Sequence, residues 1–352
     1  MAYGHPWPRP RVEDPAPIGG RGQSGDHVDL ETQAPVEASQ LDEMSADAAA
    51  QRLAETLATS TRFVNKPLYQ LVDIDLSRDH LAATVALTDF ISYALTLDLL
   101  EGELLDGLAD GRPIRPGTLP LRDRYLPSLG AVIEVNRRLC AGGPLALFAA
   151  ARPGSRARRG EADYVMLVQE RSARVLNSAR RLAVIPKSFH EPLVDFSDDA
   201  QLSATLEREL EEELFGHTEL DATEGERRSA DPLHLSRLSA PMRWLIDHAD
   251  TERWRMECTG FGLNLVSGNF EFASLIAIED EEWWASFGGQ VEANWESEGL
   301  RRYSTRDRKG LARLVHDATW SNEGLFAFLQ GLRRLAEAGT GRVNLPSTEL
   351  EM

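Results

Sequence analysis

The feature that most constrains this chain is an acidic segment, LERELEEELFG, from Leu206 to Gly216. In it Glu209, Glu212 and Glu213 stand at positions i, i+3 and i+4, so an α-helix projects their carboxylates from one face. Like charges at this spacing repel, at a cost of roughly 0.2–0.5 kcal/mol per pair in an isolated helix. A bound cation relieves that repulsion, and the spacing therefore predicts a metal-binding helix.

The same segment has an interpretation that needs no metal. Acidic chains carry acidic helices on their surfaces, and there Arg208 would pair with Glu211 or Glu212. The context favours the metal site, because the short apolar run Leu182–Pro186 and a polar loop precede the segment and further β-rich runs follow it. A strand, a loop and then the helix is the predicted order.

Composition restricts the class of protein. The 352 residues are 42% hydrophobic, enough for one large core or two modest ones. The net charge of −18 disfavours nucleic-acid binding, which depends on basic patches. The chain has no apolar run of membrane-spanning length, and Cys140 and Cys258 predict no disulfide framework. These features predict a cytoplasmic protein without membrane contact.

Changes in pattern along the chain predict four segments. Residues 1–48 are rich in Pro, Gly and acids and predict a disordered tail, and 341–352 predict a flexible one. Residues 49–126 predict a small α+β module that contains a hairpin from Leu68 to Thr88. Residues 127–340 hold apolar strands at 145–151 and 164–171, two further strands within 254–280, and a C-terminal amphipathic helix.

Capping residues predict where the acidic helix begins and ends. Ser197, Asp198 and Asp199 are good N-caps whose charge suits the positive end of the helix dipole. Gly216 is placed as a C′ glycine. The predicted helix therefore runs from these caps to Gly216.

The helix residues resemble the Nudix box, which reads Gly, five residues, Glu, seven residues, Arg-Glu-U-x-Glu-Glu-x-Gly-U, with U aliphatic. Arg208 and Glu209 take the Arg-Glu places, and Leu210 takes the aliphatic place. Glu212 and Glu213 take the places of the paired glutamates.

The resemblance implies an α+β fold, a Nudix-like α/β/α sandwich with a mixed sheet. It also implies that Glu209, Glu212 and Glu213 hold Mg²⁺ (or Mn²⁺) and that Arg208 orients the cluster. The implied reaction is attack of water on a nucleoside diphosphate linked to another group, so the implied ligand is a nucleotide-like small molecule.

The chain departs from the box at three places. Its opening glycine falls on Val194, its first glutamate on Ala200, and its late glycine on Phe215, one residue before Gly216. Asp198 or Asp199 is close enough in sequence to supply the missing carboxylate. The losses leave an alternative open, a non-catalytic nucleotide-sensing or regulatory protein that contacts a protein partner or a second copy of the chain.

The sequence leaves the general base open among His190, Glu191, Glu257, Glu271 and a glutamate of the helix itself. For a lone histidine such as His190, a hydrogen-bonded structural role is the more common outcome. A scaffold protein whose acidic helix is only surface is the third function class.

Overall fold

The computed structural model describes residues 5–6, 27–30, 43–59, 61, 63–77, 80–154, 160–193, 195–215, 238–249, 251–338 and 341–345. Within these ranges the chain forms a mixed sheet of seven strands and a second sheet of three, with helices around them. The predicted α+β class with a mixed sheet is confirmed. Within these ranges no helix has the length and apolar character needed to cross a bilayer.

The strands divide between the two sheets. They are β1 (His5–Pro6), β2 (His27–Leu30), β3 (Pro67–Ser77), β4 (His80–Asp89), β5 (Gly142–Arg152), β6 (Asp163–Arg171), β7 (Leu182–Val184), β8 (Trp254–Leu263), β9 (Phe270–Ile278) and β10 (Ser297–Ser304). The larger sheet has the order β1-β8-β9-β5-β6-β10, with β7 paired to β6, and the smaller has the order β2-β4-β3. Strands β5 and β9 are parallel, whereas β5 and β6 are antiparallel, which makes the larger sheet mixed.

In the sequence, helices α1 to α5 come before β5, and helices α6 to α10 come after β7. They are α1 (Glu43–Thr59), α2 (Phe90–Ala94), α3 (Leu99–Ala109), α4 (Pro120–Tyr125), α5 (Leu129–Ile133), α6 (Leu202–Glu209), α7 (Ala240–Asp247), α8 (Glu281–Phe287), α9 (Arg308–Val315) and α10 (Asn322–Glu337). Short 3₁₀ turns occur at Val135–Arg137 and Asp198–Ala200, and a π turn at Leu210–Leu214 extends α6.

Helices cover both faces of the larger sheet. On one face Phe148 of β5 belongs to the same buried cluster as Leu206 of α6 and Trp283 of α8. On the other face Leu147 packs in a cluster with Phe328 of α10. Successive side chains of a strand point to opposite faces. Strand β5 therefore contributes to both cores, which explains why its sequence is apolar without alternation.

The predicted hairpin is confirmed, since β3 and β4 pair antiparallel with Leu68 opposite Thr88. Its strand β3 also contacts the larger unit, because Tyr69 N donates to His190 O and Leu71 N to Cys140 O, both at 2.8 Å. Tyr69 and Leu71 lie in the same apolar cluster as the centre of β5. The two sheets therefore share a core, and the predicted boundary between 49–126 and 127–340 stays a prediction.

The predicted tails lie largely outside the described residues. Within 1–48, β1 pairs with β8, β2 pairs in parallel with β4, and α1 begins at Glu43. The rest of that segment, and 346–352, lie outside the described ranges.

Candidate functional site

The candidate site lies where β5 and β6 separate. Strand β6 pairs with β5 through residues 163–166 and with β7 through residues 168–170. The chain after β7 then continues beside β5, with Ala146 N donating to Pro186 O at 2.9 Å. Lys187 follows directly. Separated strands leave space for side chains at the sheet end, much as ligand crevices form at the switch points of open α/β sheets.

Glycines let the backbones pack closely here. A Cβ on Gly143 would lie 2.2 Å from Ser188 O and 2.7 Å from His190 N. The backbone of this inserted segment is also bonded to β5, since His190 N donates to Gly142 O at 2.8 Å. A larger residue at 143 would therefore push the segment that carries Lys187 away from β5.

The acidic helix begins later than predicted. Helix α6 starts at Leu202, and Ser197 makes no capping bond through its side chain. The acids before the helix bind loop N–H groups instead. Asp195 Oδ1 accepts from Ser197 N and Asp198 N, and Asp199 Oδ2 accepts from Leu193 N and Asp195 N. The predicted caps are wrong because the loop folds into its own turns, which use these carboxylates first.

Arg208 and Glu209 form a buried ion pair in the last turn of α6. The guanidinium contacts Glu209 Oε1 from Nε at 3.3 Å and from Nη2 at 3.2 Å. Its Nη1 donates to Glu191 O at 3.0 Å, and the Glu191 carboxylate lies 3.9 Å away. Arg208 therefore pairs with Glu209 and Glu191, and its side chain is buried instead of lying on a solvated helix face.

Glu211, in the same segment, connects the acidic helix to α7. Its carboxylate accepts from Ser239 N at 2.6 Å and from Ser239 Oγ at 2.7 Å. Ser239 is the N-cap of α7, so this buried glutamate ties α7 to the acidic helix.

Glu213 faces the place where β5 and β6 separate. Its Oε2 accepts from Lys187 N at 2.8 Å, and its Oε1 lies 3.9 Å from Arg171 Nη1. Within the described ranges, both Glu213 Oε1 and Arg171 Nε are buried without a hydrogen-bond partner. A buried carboxylate oxygen without a partner is costly, which makes it a natural attachment point for a ligand.

Two carboxyl groups of this segment, those of Glu209 and Glu213, have raised pKa values. Burial raises the pKa of Glu213 to about 8, with Glu296 adding to the rise and Arg171 opposing it. Burial also raises the pKa of Glu209 well above its ordinary value. There Arg208 opposes the rise, and Glu212, Glu213 and Glu191 reinforce it. Carboxylates crowded in this way are the groups whose charge a cation would stabilise.

The predicted metal ligands are neighbours but do not already surround a common point. Among the described residues, no three His, Cys, Asp or Glu side chains are arranged to hold a metal ion. Glu209 and Glu213 are buried, and Glu212 is half-buried on the same segment. The donor set is nonetheless of the right kind, because carboxylate oxygens are the ligands Mg²⁺ prefers and Glu213 Oε1 has no hydrogen-bond partner.

The carboxylate that the Nudix pattern has at position 200 is not replaced by a neighbouring acid. Ala200 is fully buried in the apolar core, and its carbonyl accepts from His190 Nε2 at 2.9 Å. Asp199 is bound to loop backbone, and neither it nor Asp198 replaces the lost glutamate near Glu209. Val194 and Gly216 lie outside the described residues.

The four residues outside the helix that were predicted as general bases lie in different parts of the structure. His190 is a buried structural residue whose Nδ1 lies 2.9 Å from Thr205 Oγ1, and burial lowers its pKa to about 3. Glu257 belongs to β8 and pairs with Arg334 of α10 at 2.6 Å. Glu271 lines a different cavity, together with Glu323 and Lys187. Glu191 alone of these is beside the Arg208–Glu209 pair.

Glu191, which lies beside the Arg208–Glu209 pair, lines a small cavity of about 160 Å³. Its wall also contains Arg171, Lys187, Phe189 and Glu296, which sequence reasoning did not single out. Lys187 had one available signal, since it directly follows the buried strand run at 182–186. Arg171 ends a strand, and nothing local distinguishes Glu296.

Comparison with known proteins does not assign a family: no protein-family model matches this chain, and no curated protein matches it. The residues and their geometry therefore carry the functional argument alone.

Proposed function

We propose that this protein is a Mg²⁺-dependent hydrolase of a nucleoside diphosphate-linked substrate, built as a Nudix-like α/β/α sandwich. The observation that carries the proposal is Glu213, a buried carboxyl group with a raised pKa and one oxygen without a hydrogen-bond partner among the described residues. Its two oxygens lie next to Lys187 N and Arg171 Nη1, and both of these residues line the small cavity. The mixed sheet, with helices on both faces, supports the sandwich.

The π turn also supports the resemblance. A π turn contains one residue more than the α-helical turn it replaces, and such turns are frequent at functional sites. Here it spans Leu210–Leu214, immediately before the point where the late glycine of the Nudix pattern is displaced by one residue, from 215 to 216. An inserted residue in the helix accounts for that displacement.

In the proposed reaction Glu209, Glu212 and Glu213 would hold Mg²⁺ or Mn²⁺, and Arg208 would position Glu209 through the two contacts of its guanidinium. The bound metal supplies acidification of a water molecule and stabilisation of charge on phosphoryl oxygens. Arg171 lines the cavity and has a buried Nε without a hydrogen-bond partner among the described residues, so its guanidinium would contact the diphosphate. Glu191 is the best-placed general base, since it lines the cavity beside Arg208.

A second candidate function is a non-catalytic nucleotide sensor or regulator on the same fold. Two observations favour it. Ala200 buries an apolar side chain where the pattern has a glutamate, and among the described residues no three ligand-type side chains are already gathered. Such a protein would bind the nucleotide-like ligand without turnover.

The test is release of phosphate or mononucleotide from a panel of nucleoside diphosphate derivatives with Mg²⁺ or Mn²⁺. We expect release by the wild type and by Glu282→Gln, an exposed acid on α8, but not by Glu213→Gln. Absence of release, together with metal-dependent thermal stabilisation by one of the same compounds, would favour the sensor. If neither occurs, both functions are excluded.

A further inference from the structure

Outside the acidic helix, the carboxyl group of Glu271 at the start of β9 lies in a buried residue and has no partner among the described residues. Glu271 is 8% exposed, and its carboxyl makes no hydrogen bond or ion pair with any described residue. It lines a cavity of about 280 Å³ at the end of the sheet. Nearby, Asn269 Oδ1 is buried and likewise lacks a hydrogen-bond partner among the described residues. Two hydrogen-bond acceptors on the wall of this cavity therefore lack donors.

The same cavity already accommodates one ammonium group. Lys187 Nζ lies 2.5 Å from Glu323 Oε1, and Ser178 Oγ donates to the same oxygen at 2.7 Å. This arrangement is how a buried carboxylate and an ammonium satisfy each other. Glu271 sits within electrostatic reach of both partners but has no ammonium of its own.

Charge around the cavity favours a cation over an anion. Asp98, Glu101, Glu271 and Glu323 line it, against Arg171, Arg181 and Lys187. Of these bases, Arg171 is already 3.3 Å from Glu296, Lys187 is held by Glu323, and the charge of Arg181 acts on Glu101. Beside Glu271 an anion would meet a carboxyl group that has no cation in contact, whereas a cation would pair with it.

The shape favours an elongated ligand. A second cavity, of about 440 Å³, shares part of its lining with the first, including Asp98, Glu101, Asn177, Ser178 and Arg181. It adds three acids, Glu55, Glu103 and Asp106, and two bases, Arg52 and Arg112. Acids outnumber bases in the lining of each cavity, and we call the two adjacent cavities together the acidic cleft. Glu271 lines only the first of them, the inner cavity.

We infer that this cleft binds a linear aliphatic diamine or polyamine, with one terminal ammonium on Glu271 and Asn269 and the other in the acidic outer cavity. The inference rests on a different carboxyl group from the proposed hydrolase, Glu271 of β9 and not the acidic helix, although Arg171 and Lys187 line the cavities of both sites. A metal ion fits less well, because it needs several carboxylate ligands. Of the four acids that line the inner cavity, Asp98 and Glu323 are already paired with cations and Glu101 is exposed to solvent, which leaves Glu271 alone.

Proton release accompanies this binding. The titratable and charged groups that face Glu271 are Glu323 of α10, Lys187 after β7, Tyr93 of α2 and Cys140 before β5. Burial raises the pKa of Glu271 well above its ordinary value, Glu323 adds to the rise and Lys187 opposes it. The ammonium therefore displaces a proton from Glu271 to solvent. Binding tightens as pH rises, by up to about tenfold per pH unit while the free carboxyl is protonated.

The experiment is calorimetric titration of the full chain with putrescine, with 1,4-butanediol as the uncharged ligand of the same length. We expect putrescine to bind with proton release and butanediol not to bind. The near-isosteric change Glu271→Gln should weaken putrescine binding about tenfold or more, a loss of one charge-assisted contact. Glu282→Gln, an exposed acid on α8 that lines neither cavity, should leave it unchanged.

Three results would overturn the inference: no heat with putrescine, equal binding of butanediol, or wild-type affinity in Glu271→Gln. Should that variant not fold, the pH dependence of putrescine binding to the wild type decides, since affinity that does not change with pH excludes Glu271. Tight binding of Mg²⁺ alone that is lost in Glu271→Gln and blocks putrescine would also overturn it. Because Glu213→Gln tests the hydrolase and Glu271→Gln tests the amine site, failure of one leaves the other standing.

Discussion

The backbone N–H of Lys187 donates a hydrogen bond to Glu213 Oε2 at 2.8 Å. The side chain of the same lysine reaches the other way, to Glu323 at the start of α10. One residue thus connects the acidic helix with the neighbouring cavity. Its position depends on the segment that passes between β5 and β6, so the geometry of both candidate sites depends on that segment.

Removing Arg208 should destabilise the protein strongly. Arg208→Ala leaves the buried Glu209 carboxylate without its partner, and breaking a buried pair in this way costs about 3–5 kcal/mol. Arg301→Ala is the matched control, because Arg301 pairs with Glu170 at a surface where both side chains are exposed, and it should cost less than about 1 kcal/mol. Urea unfolding measures both. Equal small losses would mean that Arg208 does not stabilise the acidic segment.

The stability of the metal-free protein should fall as pH rises from about 4.5 to about 8. The pKa of Glu213 is raised from 4.5 to about 8 by burial and by Glu296, so the folded state binds more protons than the unfolded chain across this window. The stabilisation is complete below the unfolded pKa and is lost as pH rises through the folded one, at up to about 1.4 kcal/mol per pH unit.

Urea unfolding at several pH values, with EDTA, measures this slope. Glu213→Gln should flatten it, since glutamine does not titrate, and saturating Mg²⁺ should reverse it if the ion binds the ionised carboxylate. A slope that is the same in wild type and variant would exclude Glu213 as its source.

His190 should give the opposite dependence at lower pH. Burial lowers its pKa from 6.5 to about 3, so its neutral form contributes stability above about pH 6.5 that is lost as pH falls toward 3. His190→Gln should therefore lose less stability than the wild type between pH 6.5 and pH 4, whatever its stability at neutral pH. His316→Gln, at an exposed position on the end of α9, should keep the wild-type slope. Unfolding curves that remain parallel for both variants would contradict this.

Adding a methyl group at Gly331 should destabilise the protein although alanine favours helix. A Cβ there would lie 2.7 Å from Leu147 Cβ, and overpacking of this kind costs about 1–3 kcal/mol. Gly102→Ala on α3 is the control, because nothing lies within 4 Å of its Cβ position and helix propensity alone should stabilise by up to about 1 kcal/mol. Thermal unfolding compares the two. Stabilisation by Gly331→Ala would mean that α10 is not packed closely on β5.

The sequence by itself determined the elements whose patterns are local. The hairpin of β3 and β4, the apolar strand β5 and the amphipathic helix α10 are each encoded by the spacing of apolar residues within one short stretch, and they form where predicted. The closeness of Glu209, Glu212 and Glu213 likewise follows from spacing on one helix, because neighbouring turns bring such residues together wherever the helix packs.

Tertiary structure alone decided the partners of those residues. The helix start moved to Leu202 because loop backbone captured the carboxylates of Asp195 and Asp199, which no cap pattern encodes. Lys187 and Glu323 are 136 residues apart and meet only because the chain after β7 passes between β5 and β6. Burial, which raises the pKa of Glu213 and Glu271, is likewise a property of the packed sheet and its helices, since desolvation depends on what surrounds a group in space and not on its neighbours in sequence.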